Sequence, residues 1–90
     1  MPRYVVERTF QEGFDLPPGP DGIERCLEVI GRNADVDVTW LHSYVSDDHG
    51  KTFCVYEAPS PEAIRKTAAR SDLPVDRITE VQLLDPYFYR

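Results

Sequence analysis

Ninety residues with 41% hydrophobic and 29% charged content make one globular domain; the composition argues against wholesale disorder, and the size is one at which burial against a partner helps stability. A formal net charge of -6 argues against nucleic-acid and anionic-membrane partners, both of which demand a basic surface. No apolar run approaches the ~18 residues a membrane span requires.

Met1-Pro2-Arg3 leads directly into a strand-like run rather than a leader, so a cytoplasmic location is expected. Two cysteines, Cys26 and Cys54, are too few for a disulfide framework, and in a reducing compartment they are expected as free thiols. Arg3 to Phe10 is rich in β-branched and aromatic residues and predicts a first strand. Its faces carry Tyr4, Val6 and Arg8 on one side and Val5, Glu7 and Thr9 on the other. Gln11 to Pro20 is dense in Gly and Pro and predicts a connection without regular structure.

Asp21, with Glu24 three residues on, has the form of a capping box and predicts the start of a helix. Ile23, Cys26, Leu27, Ile30 and Ala34 recur at helical spacing as its apolar stripe, with Cys26 read as a small hydrophobe. Gly31-Arg32-Asn33 supply its end. Thr39 to Glu57 then reads as a β-hairpin closed by the polar turn Asp47-Asp48-His49-Gly50. Alternation places Trp40, His42 and Tyr44 on one face of the first arm, and Cys54 and Tyr56 on one face of the second. Ser60 caps a second helix, Pro61 to Arg70, with Pro61 where its missing N–H costs nothing. After the loop Ser71–Asp76, Arg77 to Leu84 predicts a fourth strand, and Tyr87 to Arg90 forms an aromatic tail expected to pack on the domain or a partner.

The order strand, helix, strand, strand, helix, strand is that of an α+β, ferredoxin-like βαββαβ sandwich, with two helices on one face of a four-stranded antiparallel sheet. Assigning the plainer apolar sets, including Phe53, Val55, Val81 and Leu83, to the helix side leaves a richer set for the open side. On that assignment Glu80, Glu7, Cys54 and His42 form a transverse row, ringed by Trp40, Tyr44 and Tyr56. So much exposed aromatic surface predicts a homodimer packed on this face.

Carboxylate, imidazole and thiolate on one face suit a late divalent transition metal. No compact ligand motif such as CxxC or HExxH is present, so the pattern alone is a weak signal. Asp47, Asp48 and His49 make a second candidate metal site on the turn, although turns favour Asp for backbone reasons too. There is no nucleophile elbow and no phosphate-binding glycine loop. An enzyme reading therefore rests on fold analogy, as a small dimeric cofactor-free oxygenase or isomerase using His42 as acid–base. A third reading is a dimerising module that holds a small apolar ligand.

Tyr4-Val-Val-Glu-Arg8, Trp40-x-x-Ser43-Tyr44-Val45-x-Asp47, Cys54-x-Tyr56-x-Ala58-Pro59, Ile64-Arg65 and Pro74-x-x-x-Ile78-x-Glu80-Val81 together resemble a small nickel-binding family first catalogued as a domain of unknown function. The resemblance implies a ferredoxin-like fold, a homodimer, and nickel binding for sequestration or tolerance of excess metal, with no established catalysis. Glu7, His42, Cys54 and Glu80 stand within those motif segments, and Asp47, Asp48 and His49 are the alternative ligands at the surface. The Pro-rich loop and the aromatic tail depart from the family pattern.

Overall fold

The computed structural model describes residues 1–13 and 20–88, apart from the side chain of Asp21. Its elements are β1 (Arg3–Thr9), α1 (Pro20–Ala34), β2 (Thr39–Val45), β3 (Lys51–Glu57), α2 (Pro61–Arg70) and β4 (Arg77–Val81). The strands form one antiparallel sheet in the order β2-β3-β1-β4, the arrangement expected of the split βαββαβ sandwich. Most of the predicted loop from Gln11 to Pro20, any capping by the Asp21 side chain, and the tail residues Tyr89 and Arg90 lie outside the described residues.

The local signals near α2 act as read. The Ser60 Oγ accepts the Ala63 N–H at 3.3 Å and Pro61 opens the helix, satisfying an otherwise orphan donor. Ile64, Thr67 and Ala68 are buried on its inner face, and the Thr67 hydroxyl donates to the Ile64 carbonyl at 3.0 Å.

The core comprises Tyr4, Val6, Val38, Cys54, Tyr56, Ala58 and Ile64. This list corrects the face assignment made from alternation. Register pairs Tyr4 with Tyr56, Val6 with Cys54, and Arg8 with Thr52, so all six residues project to the helix side. Phe53 and Val55 instead pair with Glu7 and Val5 on the uncovered side. In β4, Ile78 pairs with Val6 and Glu80 with Tyr4, so Glu80 also leaves the open face, and Thr79 and Val81 join it. The predicted fourth strand stops at Val81, leaving Leu83 and Leu84 exposed. A one-residue change in phase transfers every side chain of a strand to the opposite face, and β3 offers apolar residues on both.

β2 carries a further irregularity. Its register against β3 shifts between Trp40, opposite Tyr56, and His42, opposite Val55. The extra residue, Leu41, reverses the alternation, as a bulge does. Trp40 and Ser43 therefore face the helices, with the indole N–H donating to the Ser43 hydroxyl at 2.8 Å, while His42 and Tyr44 stay on the open side.

α1 departs from its predicted stripe. Gly22 and Asn33 are buried and Cys26 and Val29 are half-buried, whereas Ile23, Leu27 and Ile30 are exposed. The Asn33 carbonyl accepts the N–H groups of Val36 and Val38, which closes the helix and delivers Val38 into the core. Tyr87 and Phe88 are exposed, so the described part of the aromatic tail does not pack on its own domain.

Candidate functional site

The uncovered sheet face presents His42, Tyr44, Val55, Phe53, Val5 and Glu7. The His42 and Tyr44 rings meet edge to face at 5.3 Å between centroids. His42 is level with Val55 and Val5, whereas Glu7 is level with Phe53 and Tyr44. Two strand spacings, ~10 Å, separate the lines of His42 and Glu7, with β3 side chains between them. Cys54 and Glu80 belong to the other face, so the four-residue row splits into two pairs. Among the described residues no three His, Cys, Asp or Glu side chains converge to hold a metal ion.

The turn is built for its own closure. Asp48 Oδ1 accepts from the Ser46 hydroxyl at 2.7 Å and from the Gly50 N–H at 2.8 Å. These bonds hold the Asp48 carboxyl below the usual carboxylate range, the Ser46 bond contributing most. A Cβ at Gly50 would stand 3.1 Å from the same oxygen, which explains a glycine there. His49 takes a positive φ of 59°. Asp47, Asp48 and His49 are exposed, with one of the two carboxylates, that of Asp48, committed to shaping the backbone.

The helix side holds a feature that the face assignment concealed. Between the sheet and α1 lies a cavity of about 180 Å³, its walls including Val29, Trp40, Val45, Tyr56 and both cysteines. Cys26 and Cys54 are free thiols, as expected. Arg8 also lines it and is 3% exposed, yet its Nε and Nη1 atoms have no hydrogen-bond partner among the described residues. The guanidinium carbon lies 5.7 Å from the centre of the Tyr56 ring. Such a cation–π contact offsets about 0.5–2 kcal/mol, less than the several kcal/mol that desolvating an ion costs. Charged residues are normally read as exposed; the available signal was that Arg8 shares strand phase with Tyr4 and Val6.

Two phenols in this layer are perturbed. Burial pushes the Tyr56 hydroxyl above its ordinary value of 10.0, with the Arg8 charge partly opposing. Tyr4 is raised by desolvation first, then by the charges of Glu80 and Glu62. A raised phenol stabilises the fold fully below the unfolded value of about 10 and loses that contribution as pH rises through the folded value. Urea midpoints are therefore expected to fall above about pH 10, with a shallower fall in Tyr56→Phe. An alkaline limb of equal slope in that variant would show that the buried phenol is not responsible.

The fold and its two unequal faces define a split βαββαβ sandwich with one open sheet surface and one cavity beneath α1. Residues 4–81 match the family described as nickel responsive protein SCO4226-like, and the chain belongs to that family. The solved structure of SCO4226 from Streptomyces coelicolor A3(2) has the same fold, with a TM-score of 0.73 at 20% sequence identity over 92% of this chain and 99% of that one. No curated protein matches the chain. No helix among the described residues is long and apolar enough to cross a membrane.

Proposed function

We propose that this protein binds nickel as a homodimer and holds excess metal rather than transforming a substrate. The observation that carries the reading is membership, over residues 4–81, in a family described as nickel responsive. His42 and Glu7 support it on the uncovered face, since imidazole and carboxylate both suit a late divalent metal. Their separation means that one chain supplies too few donors there, so a second copy completes the site. The half-buried apolar residues Val5, Phe53 and Val55 around them give that copy a surface to pack on. Asp47 and His49 on the turn are the alternative donors. Cys54 drops out of the ligand set because it is buried beneath the helices, and Glu80 because it shares the register position of Tyr4 on that side.

The test is calorimetry with Ni²⁺ against Zn²⁺ and Mg²⁺, with sedimentation on the same samples. His42→Ala is expected to weaken nickel binding at least ~10-fold, since even loss of an outer-shell partner commonly costs that much. Binding also weakens on acidification as imidazole protonates. A loss in His49→Ala with His42→Ala unaffected moves the site to the turn. Nickel binding unchanged in both variants, and flat between about pH 8 and pH 5, rules out a histidine site. A monomer at all metal concentrations rules out the shared one.

A further inference from the structure

The cavity beneath α1 has a chemistry unrelated to metal binding. Among the described residues its walls are apolar apart from a few hydroxyl, thiol and indole N–H groups, and the two charged residues that reach it, Arg8 and Arg25, are both cationic. No Asp or Glu lines it among the described residues, in a chain whose net charge is -6. Burying a charged group without a hydrogen-bond acceptor is costly. Nε and Nη1 are buried and without acceptors among the described residues, and Arg8 borders the apolar chamber, so a turn of its guanidinium is what would bring them to an acceptor there. An acceptor that brings negative charge and fills the apolar volume would satisfy both demands together.

We propose that this cavity is a binding site for a small organic carboxylate with a compact apolar body, its carboxylate on Arg8 and its body between Val29, Trp40 and Tyr56. Size restricts the class. A dry apolar cavity of ~150 Å³ takes up benzene, so about 180 Å³ accommodates a ring or a short branched chain with one carboxylate. Carboxylate is favoured over a free inorganic anion because most of the wall is apolar and its few donors are too sparse to replace a full hydration shell. The planar donor fork of arginine matches two carboxylate oxygens. Arg25, exposed at the cavity, adds positive potential for an approaching anion. The site is independent of the nickel reading, and either stands if the other fails.

The probes are benzoate and its neutral counterpart benzyl alcohol, added to the full chain and followed by amide and indole NMR. Trp40 is the single tryptophan and lines the cavity, so one indole cross-peak reports occupancy. Benzoate is expected to shift it saturably, binding on the order of 10- to 100-fold more tightly than benzyl alcohol, the range of a charge-assisted hydrogen bond. Arg8→Met is expected to abolish that preference while retaining benzyl alcohol. Cys26→Phe, which fills the chamber and leaves Arg8 in place, is expected to exclude both probes. The proposal is overturned if benzoate gives no saturable shift in the wild-type chain, if it binds no better than benzyl alcohol, or if inorganic phosphate binds as well. Cys26→Phe binding benzoate like the wild type also overturns it. The wild-type comparison of the two probes decides the matter even if a variant fails to fold.

Discussion

Ile64→Ala is expected to destabilise the protein by about 2–5 kcal/mol, the range for truncating a fully buried aliphatic side chain. Ile64 is 0% exposed and belongs to the cluster with Tyr4, Val6, Cys54 and Tyr56. α2 is fixed at its start by the Ser60 cap and bonded onward through the Thr67 hydroxyl. The backbone therefore has little freedom to close over the missing atoms, which places the cost above the bare transfer term. Each kcal/mol lowers the melting temperature of a domain this size by roughly 4–8 °C, and total stability is commonly only 5–15 kcal/mol. Leu83→Ala is the control: Leu83 is 75% exposed, and its truncation is expected to stay within about 0.5 kcal/mol. Urea unfolding of both variants checks the contrast. A loss below about 1 kcal/mol for Ile64→Ala would mean that α2 does not seat on the sheet as described.

The contrast between those two residues marks what the sequence makes legible. Element order follows from capping, breakers and periodicity: Ser60-Pro61 starts α2, and the polar turn at Asp47 to Gly50 joins β2 to β3. The βαββαβ order then determines the strand arrangement. Which face each strand buries is a different kind of information. In β1 the alternation is unambiguous at Tyr4 and Val6, but β3 has Phe53 and Val55 on one side and Cys54 and Tyr56 on the other. Hydrophobicity cannot rank those sets; the pairing of Val6 with Cys54 does. The Leu41 bulge separates Trp40 from His42 with no warning from its residue type. In α1 a rotation of about one residue keeps Cys26 inward but exchanges Ile23, Leu27 and Ile30 for Gly22, Val29 and Asn33, with Asn33 held at the helix end by the chain that follows.

These phase errors explain the fate of the candidate site. The metal row required four strands to agree in parity, and two did not. His42 and Glu7 keep their place on the open face; Cys54 moves to the wall of the cavity. The same change of phase brings Arg8, Cys54, Trp40 and Tyr56 around one partly open cavity. A sheet that sends an imidazole and a carboxylate outward and a guanidinium with two unpartnered nitrogens inward separates two kinds of recognition by the thickness of one strand layer.

Arg8→Met is expected to stabilise the ligand-free protein by about 1–3 kcal/mol, a gain where most core substitutions cause a loss. The favourable part is removal of a charge held out of water with two donor nitrogens unpartnered; replacing buried ionic groups by apolar ones of similar volume can yield 1–4 kcal/mol. Against it stands the lost contact with the Tyr56 ring, about 0.5–2 kcal/mol. A methionine sulfur beside the same ring recovers part of that loss, and the unbranched side chain follows a similar path. Arg8→Lys keeps the charge without the planar fork, so it is expected to gain nothing. Urea titrations without added anion measure the effect, with an unchanged m-value showing that the same surface is exposed on unfolding. Added benzoate then raises the wild-type midpoint by ligand linkage and leaves Arg8→Met in place, so the gap narrows as ligand approaches saturation. A ligand-free Arg8→Met protein that is less stable than wild type by more than about 1 kcal/mol would mean that the guanidinium is already satisfied by the fold, and the case for a carboxylate in the cavity would fall with it.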